Sequence, residues 1–231
     1  MSVSAPAADV RGMFDRIASR YDRANRILSA GVDVWWRRQA IAALLDGLPA
    51  APVVLDLGAG TLDGAIAVLR RRPSARVCAA DFARAMLAAG VRKPAAARVA
   101  AQVADAHALP YRDAVFDAVF SAFCVRNLRD LDLGLRELRR VLRPGGRVAI
   151  LEFFRPARRR RFWDGLYNAH VLPLVGRMVS GDRAAYRYLP ESIAGFLTRE
   201  ELEAQLRVLG FAEVSGHELF PASVASLVVA A

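Results

Sequence analysis

Acidic residues recur in this chain at intervals that suit a single ligand: Asp56 followed by Gly58, Gly60 and Thr61, then Asp81, then Asp105 with Ala106. Each acid stands at or just beyond the end of a short apolar run. A carboxylate ending the second strand of an α/β unit accepts both hydroxyls of a ribose. That role falls to Asp81. Asp105 is placed to meet the exocyclic amine of an adenine, and the backbone at Gly58–Gly60 to lie against an amino-acid tail. Glycine suits the turn because a Cβ would keep a ligand off the backbone. A dinucleotide loop would carry a further glycine at position 63. Asp63 stands there instead, and its charge opposes a phosphate. S-adenosylmethionine, with a sulfonium and an amine but no phosphate, therefore fits better than NAD. Singly, Asp56 also reads as a turn cap and Asp81 as a helix N-cap. It is their joint spacing that favours a ligand. His107 reads as a loop residue.

The elements that must carry these groups follow from periodicity. Val53–Leu57, Arg76–Ala80, Val99–Ala104, Phe116–Ala122 and Arg147–Phe153 read as strands. Helical patterns over Leu62–Arg71, about Arg84–Ala89 and Leu131–Leu142 separate most of them. This order predicts an α/β fold, a doubly wound and mostly parallel sheet with helices on both faces. Its ligand edge lies beyond the carboxyl ends of the strands, which adds Ala122 to Asn127 to the site. Helices are expected at Asp9–Ser29 and Asp33–Asp46, the second with Asp33 as N-cap. Pro144-Gly145-Gly146 is a breaker. Thr198 to Glu201 has the form of a capping box opening a helix that ends at Gly210. Val214–Glu218 and Val224–Val229 would be final strands, antiparallel to the rest. The chain thus divides into an N-terminal helical cap (9–47), a cofactor core (53–153), a substrate-side insertion (154–195) and a C-terminal helix with strands (196–231), all within one domain.

The composition narrows the class. A chain of 231 residues with 55% hydrophobic content suffices for one large core. No apolar run reaches membrane-spanning length, and the first residues lack a signal peptide's pattern, so a cytoplasmic protein is expected. Cys78 and Cys124 form no metal-binding pair, and no metal is expected. The formal charge is +10, and of 33 basic residues only Lys93 is lysine. Such arginine bias matches an alanine-rich composition; beyond that, attraction to an anionic membrane surface is favoured over nucleic acid. Nucleic acid is not an expected partner, for no recognition motif is present. No feature sets an oligomeric state.

Longer stretches carry a resemblance. MFDRIASRYDRANRILSAGVDVWWRR (13–38), ADAHALPYRDAVFDAV (104–119), FCVRNLRD (123–130), RVLRPGGRVAILEF (140–153) and NAHVLPLVGRMVSGDRAAYRYLPESI (168–193) resemble the class I methyltransferases. Within them, the chain looks like the ubiquinone/menaquinone-biosynthesis C-methyltransferases over about residues 11 to 220. The Arg126-Asn127 pair and the HVLP and YRYLPESI stretches are the more specific parts. The resemblance implies a Rossmann-like seven-stranded sheet, S-adenosylmethionine as methyl donor, and methyl transfer to a ring carbon of a polyprenylated hydroquinone. The chain departs from the family's usual residues at Leu62, Asp33, Ala122 and Phe154.

On this resemblance the enzyme must align carbon and methyl and help a phenol lose its proton. Arg126 would stabilise the phenolate, with Asn127 and Tyr21 fixing the ring oxygens. Asp22, His170 or a water held by one of them would take the proton; His170 also reads as a packing residue of the insertion. The substrate is a lipid quinol, so reversible membrane docking is expected at Arg155 and Arg158–Arg161 beside Phe162 and Trp163. Rival readings are a same-fold methyltransferase with another acceptor and a non-catalytic cofactor-binding protein.

Overall fold

The computed structural model describes residues 12, 15, 16, 18, 21–29, 31–155, 188, 191–219 and 225–231. Helices among the described residues include α1 (Tyr21–Leu28), α2 (Val32–Leu45), α3 (Asp63–Arg71), α4 (Arg84–Val91), α5 (Leu131–Val141) and α6 (Arg199–Val208). The strands are β1 (Val53–Leu57), β2 (Arg76–Asp81), β3 (Val99–Val103), β4 (Phe116–Ala122), β5 (Leu142–Glu152), β6 (Val214–Leu219) and β7 (Ala225–Ala230). They form one seven-stranded sheet in the order β3-β2-β1-β4-β5-β7-β6. β1 to β5 pair in parallel, while β7 is antiparallel to both β5 and β6. The strand order reverses between β1 and β4, so their carboxyl ends open the crevice where such sheets take ligands.

Why the sheet is central shows in its burial. In β4 and β5, Phe120, Val119, Ala149, Ile150 and Leu151 are wholly buried, on alternating faces. One face packs against α2 and α3 through Trp36, Ile41, Leu44, Ala65 and Val68, the other against α5 and α6 through Leu135, Leu138, Leu202 and Leu206. Removing one such leucine would cost about 2–5 kcal/mol. The helices start where their caps dictate. Asp130 accepts from the Leu133 amide at 2.9 Å, and Thr198 with Glu201 forms the expected capping box.

Two expectations need correction. α2 starts at Val32 behind Gly31, whose φ is 81°, so Asp33 is not its N-cap. Asp33 is buried and paired with Arg37 at 2.5 Å, and it accepts from the Ser29 hydroxyl at 2.7 Å. β5 begins at Leu142, before the Pro-Gly-Gly breaker, because the pair β4–β5 absorbs those residues as a register shift between Phe116 and Ala118. No helix among the described residues is long and apolar enough to cross a membrane.

Candidate active site

A cleft of about 610 Å³ opens at the carboxyl ends of β1, β2, β3 and β4. That volume lies in the range of small-molecule sites. Eight of the expected site residues line it: Tyr21, Gly58, Gly60, Asp81, Asp105, Ala106, Ala122 and Asn127. Asp81 is held by backbone alone: the Gly60 amide donates to one oxygen at 2.7 Å and the Ala83 amide to the other at 2.8 Å. Each oxygen keeps a lone pair for a ligand hydroxyl. Burial pushes the Asp81 carboxyl above its ordinary value. Asp105 meets His107 through both the backbone amide (2.9 Å) and Nδ1 (2.5 Å), and Arg129 at 3.4 Å. Burial works against its charge, but those His107 bonds outweigh it and lower the pKa. The Asp130 amide donates to His107 Nε2 at 3.2 Å. His107 is thus a strut between two loops, with Nδ1–H facing Asp105.

Asp56, expected among the cofactor contacts, is turned away from the cleft. Its carboxylate lies 2% exposed beneath α3 and accepts from the Ala65 amide at 2.6 Å. Burial raises its pKa to about 7. The strand-end acid of β1 is therefore a helix cap, and Gly64 is small to make room for it: a Cβ there would stand 2.7 Å from Asp56 Oδ2. Thr61 also points away, with its hydroxyl donating to Asp22. The glycine at 58 has a different reason from the one expected. A Cβ on it would fall 2.2 Å from Cys124 Sγ, so the β4 loop, not a ligand, demands glycine there. Gly60 and Gly58 both hold positive φ.

Leu62 takes φ 68°, a left-handed conformation costly for a branched side chain. Its side chain is wholly buried and packs where Gly90 leaves space, since a Cβ on Gly90 would be 2.6 Å from Leu62 Cγ. Leu62 therefore faces the α3–α4 core and leaves the cleft unobstructed.

Beyond β4 the polar groups are positioned by side chains. The short 3₁₀ turn Val125–Asn127 follows β4 and carries Arg126 and Asn127. Arg126 does not line the cleft; its Nη1 lies 2.5 Å from Glu152 Oε1, and its backbone amide donates to the other Glu152 oxygen at 3.3 Å. Burial opposes the guanidinium charge, but Glu152 outweighs it and keeps the pKa above its ordinary value. The pair is sheltered from solvent, and burial pushes the Glu152 carboxyl above its ordinary value. Its guanidinium also lies 5.7 Å over the Phe153 ring. Phe153 stacks on Phe123 at 4.7 Å, and Trp36 meets both edge-on or tilted. Phe123 lines the cleft with a φ of 55°, a strained value of the kind found at functional sites. Tyr188 donates to Asn127 Oδ1 at 2.6 Å, which fixes the Asn127 amide with its N–H₂ away from Tyr188. Burial pushes the Tyr188 phenol up to about 12 and raises Tyr21 as well, so both remain donors.

Asp22 was expected as a possible base. Its carboxylate is engaged by the Thr61 hydroxyl and, at 2.6 Å, by Lys93 Nζ, and it does not line the cleft. His170, and all of the basic stretch except Arg155, lie outside the described residues. The residues alone did not single out Glu152, Tyr188 or Asp15. Glu152 carried a signal, as the acid closing the apolar run Val148–Leu151. Asp15 carried none: it lines the cleft and accepts from the Ala85 amide at 3.1 Å.

The donor set fits S-adenosylmethionine. Asp15, Asp81 and Asp105 make the cleft acidic, with Arg129 and His107 the basic side chains among its described lining residues. That suits a cationic ligand with ribose hydroxyls and repels phosphate. Fold and cleft together define a class I, S-adenosylmethionine-dependent methyltransferase. A model of the ubiE/COQ5 methyltransferase family matches residues 2–230, and the chain belongs to that family. It is 45% identical over 202 residues to a demethylmenaquinone methyltransferase of Thermus thermophilus, covering 86% of this chain and 91% of that protein. A ubiquinone/menaquinone biosynthesis C-methyltransferase of Syntrophotalea carbinolica is 40% identical, covering 93% and 90%. Among solved structures, a possible histamine N-methyltransferase of Thermotoga maritima superposes with a TM-score of 0.68 at 18% identity over 95% of this chain and 98% of that one, a likeness of fold alone. The chain is thus an S-adenosylmethionine-dependent C-methyltransferase of quinone biosynthesis, and its acceptor is lipophilic.

Proposed function

We propose that the chain methylates a ring carbon of a polyprenylated hydroquinone, with demethylmenaquinol the favoured acceptor. The observation that carries the acceptor is the 45% identity to a demethylmenaquinone methyltransferase over 86% of the chain. Bound S-adenosylmethionine supplies an electrophilic methyl on sulfur. Asp81 would hold its ribose and Asp105 its adenine amine, while Gly58–Gly60 would border the methionine tail. Tyr21 and Asn127 would donate to the ring oxygens, orienting the carbon ortho to a hydroxyl toward the methyl. Arg126, outside the cleft and paired with Glu152, would act as a positioning residue: its amide and side chain pin the Val125–Asn127 turn that presents Asn127. The proton-accepting role stays with His170 or a water it holds. Asp22 is better read as a tether, because Thr61 and Lys93 occupy its carboxylate.

Contact with an anionic membrane surface is supported by a second groove, of about 680 Å³, between α1, α2 and α3. Arg38, Arg70 and Arg71 rim it above apolar Val34, Ile41 and Ile66. Cations over an apolar floor suit an anionic interface. The wild-type chain should float with vesicles containing phosphatidylglycerol and not with neutral ones; equal recovery with both would remove this part of the proposal.

Quinone profiling of a strain lacking the gene tests the main proposal. The resident quinone should lose one ring methyl. An unchanged quinone would overturn the assignment.

A further inference from the structure

Lys93 is the chain's single lysine among 33 basic residues, and it stands within a run of alternating charges, Asp22–Lys93–Asp63–Arg26, that helix α1 closes into a ring. Its Nζ lies 2.6 Å from Asp22 Oδ2 and 2.7 Å from Asp63 Oδ1. Asp63 in turn takes Arg26 Nη2 at 3.0 Å. Asp22 and Arg26 are one helical turn apart on α1. Lys93 also donates to the Thr61 carbonyl at 2.8 Å, and Thr61 donates its hydroxyl back to Asp22. The ring is partly sheltered: the side chains of Lys93, Asp22 and Asp63 are 27%, 35% and 22% exposed. Burial raises the pKa of Asp63, but the Lys93 bond and charge outweigh it and lower the net value.

The ring joins parts of the molecule that the sheet does not hold together. Asp63 opens α3, and Lys93 follows α4; both belong to the β1–β3 half that carries the cofactor groups. Asp22 and Arg26 belong to α1, which precedes the sheet. Next to Asp22 stands Tyr21, whose side chain lines the cleft. A compact ammonium meets carboxylates from different elements and a carbonyl at once because it has rotatable donors and no fixed plane.

We propose that Lys93 is a positioning residue for the acceptor: through Asp22 it fastens α1 to the cofactor loop and so keeps Tyr21 in place over the cleft. The inference rests on the proposal that Tyr21 faces the acceptor. The latch leaves the cofactor contacts intact, since the Gly60 and Ala83 amides hold Asp81 without it. It therefore acts on acceptor affinity and not on cofactor affinity.

The test compares Lys93→Met, Lys93→Arg and Asp22→Asn, using a short-chain demethylmenaquinol as acceptor and S-adenosylhomocysteine for calorimetry. Lys93→Met is expected to raise the acceptor KM by about tenfold or more, with the S-adenosylhomocysteine Kd within about threefold of wild type. Asp22→Asn cuts only the α1 side of the ring and should give the same split. Adding it to Lys93→Met should change little further, as partners of one interaction are not additive. Lys93→Arg keeps the charge and should recover part of the KM. Amide hydrogen exchange supplies a readout independent of acceptor identity: residues 21–28 should exchange faster in Lys93→Met while β1 and β4 stay protected. Loss of α1 protection without a change in acceptor KM would overturn the Tyr21 placement while leaving the latch. Unchanged exchange in α1, or a cofactor Kd that rises together with the acceptor KM, would overturn the latch itself. A kcat loss in Asp22→Asn with KM unchanged would return Asp22 to the role of base and contradict the proposal.

Discussion

At the end of β2 the cleft acid Asp81 is held by backbone amides; beyond β4 the polar groups are held by one another. Asp81 takes its position from Gly60 and Ala83, so any sequence that forms the β1 turn and starts α4 also places Asp81. Arg126 takes its position from Glu152, and Asn127 from Tyr188, across 26 and 61 residues of chain. The first half is set by local geometry and the second by pairing of distant side chains. A backbone-held group fails alone when it is changed. A side-chain-held group takes its partner with it, because the partner is left buried and unpaired.

That difference sets the order of expected effects. Arg126→Ala should have the largest. It strands Glu152, and breaking a buried pair costs about 3–5 kcal/mol of stability. It should also lower turnover by about 100-fold, the scale of a small misplacement of a reacting group, because the turn that carries Asn127 loses its side-chain anchor to Glu152. Denaturant unfolding and steady-state rates check both. The double variant Arg126→Gln with Glu152→Gln should restore most of the stability but not the turnover. Asp81→Asn should weaken S-adenosylhomocysteine by roughly 10–100-fold, a charge-assisted hydrogen bond's worth, with a small change in melting temperature. A stability loss at Asp81 as large as that at Arg126 would erase the contrast between the halves.

Leu62→Gly sharpens the comparison on the β1 side, at the residue that precedes α3. It relieves about 1–2 kcal/mol of left-handed strain but removes a buried side chain for which the loss is about 2–5 kcal/mol. Urea unfolding should therefore show a net destabilisation, with cofactor affinity nearly unchanged because Leu62 faces the core.

The smallest effect is a pH slope. Asp56 has a folded pKa of about 7 against an ordinary 3.8, raised chiefly by burial. The folded state thus holds the proton more tightly than the unfolded chain, and stability falls as pH rises from about 4 to about 7 before levelling off. Asp56→Asn keeps an oxygen for the Ala65 amide and removes the titration. Its unfolding midpoint should change less over that window than wild type's, and should exceed wild type's above pH 7.

The same contrast explains what could be read from the residues alone. The β-α order, the turn at Gly58–Gly60 and the acids at Asp81 and Asp105 are local patterns, and the strands emerged within a residue or two of expectation apart from the early start of β5. Asp56 misled because a strand-end acid that caps the following helix has the same spacing as one that meets a ligand; only side-chain direction separates them. Gly58 misled likewise, its neighbour being Cys124 from another strand. Glu152, Tyr188 and the Lys93 ring depend on contacts between segments far apart in the chain, which no periodicity encodes. Leu62 was visible as a departure, but its remedy, the missing side chain at Gly90, lies 28 positions away.

Supplying the purified chain with a short-chain demethylmenaquinol and S-adenosylmethionine carrying a ¹³C methyl, and reading the product by NMR, tests the assignment most directly. The label should appear as an aryl methyl on the ring carbon ortho to a hydroxyl. A label on oxygen, or none transferred while S-adenosylhomocysteine still binds, would contradict it.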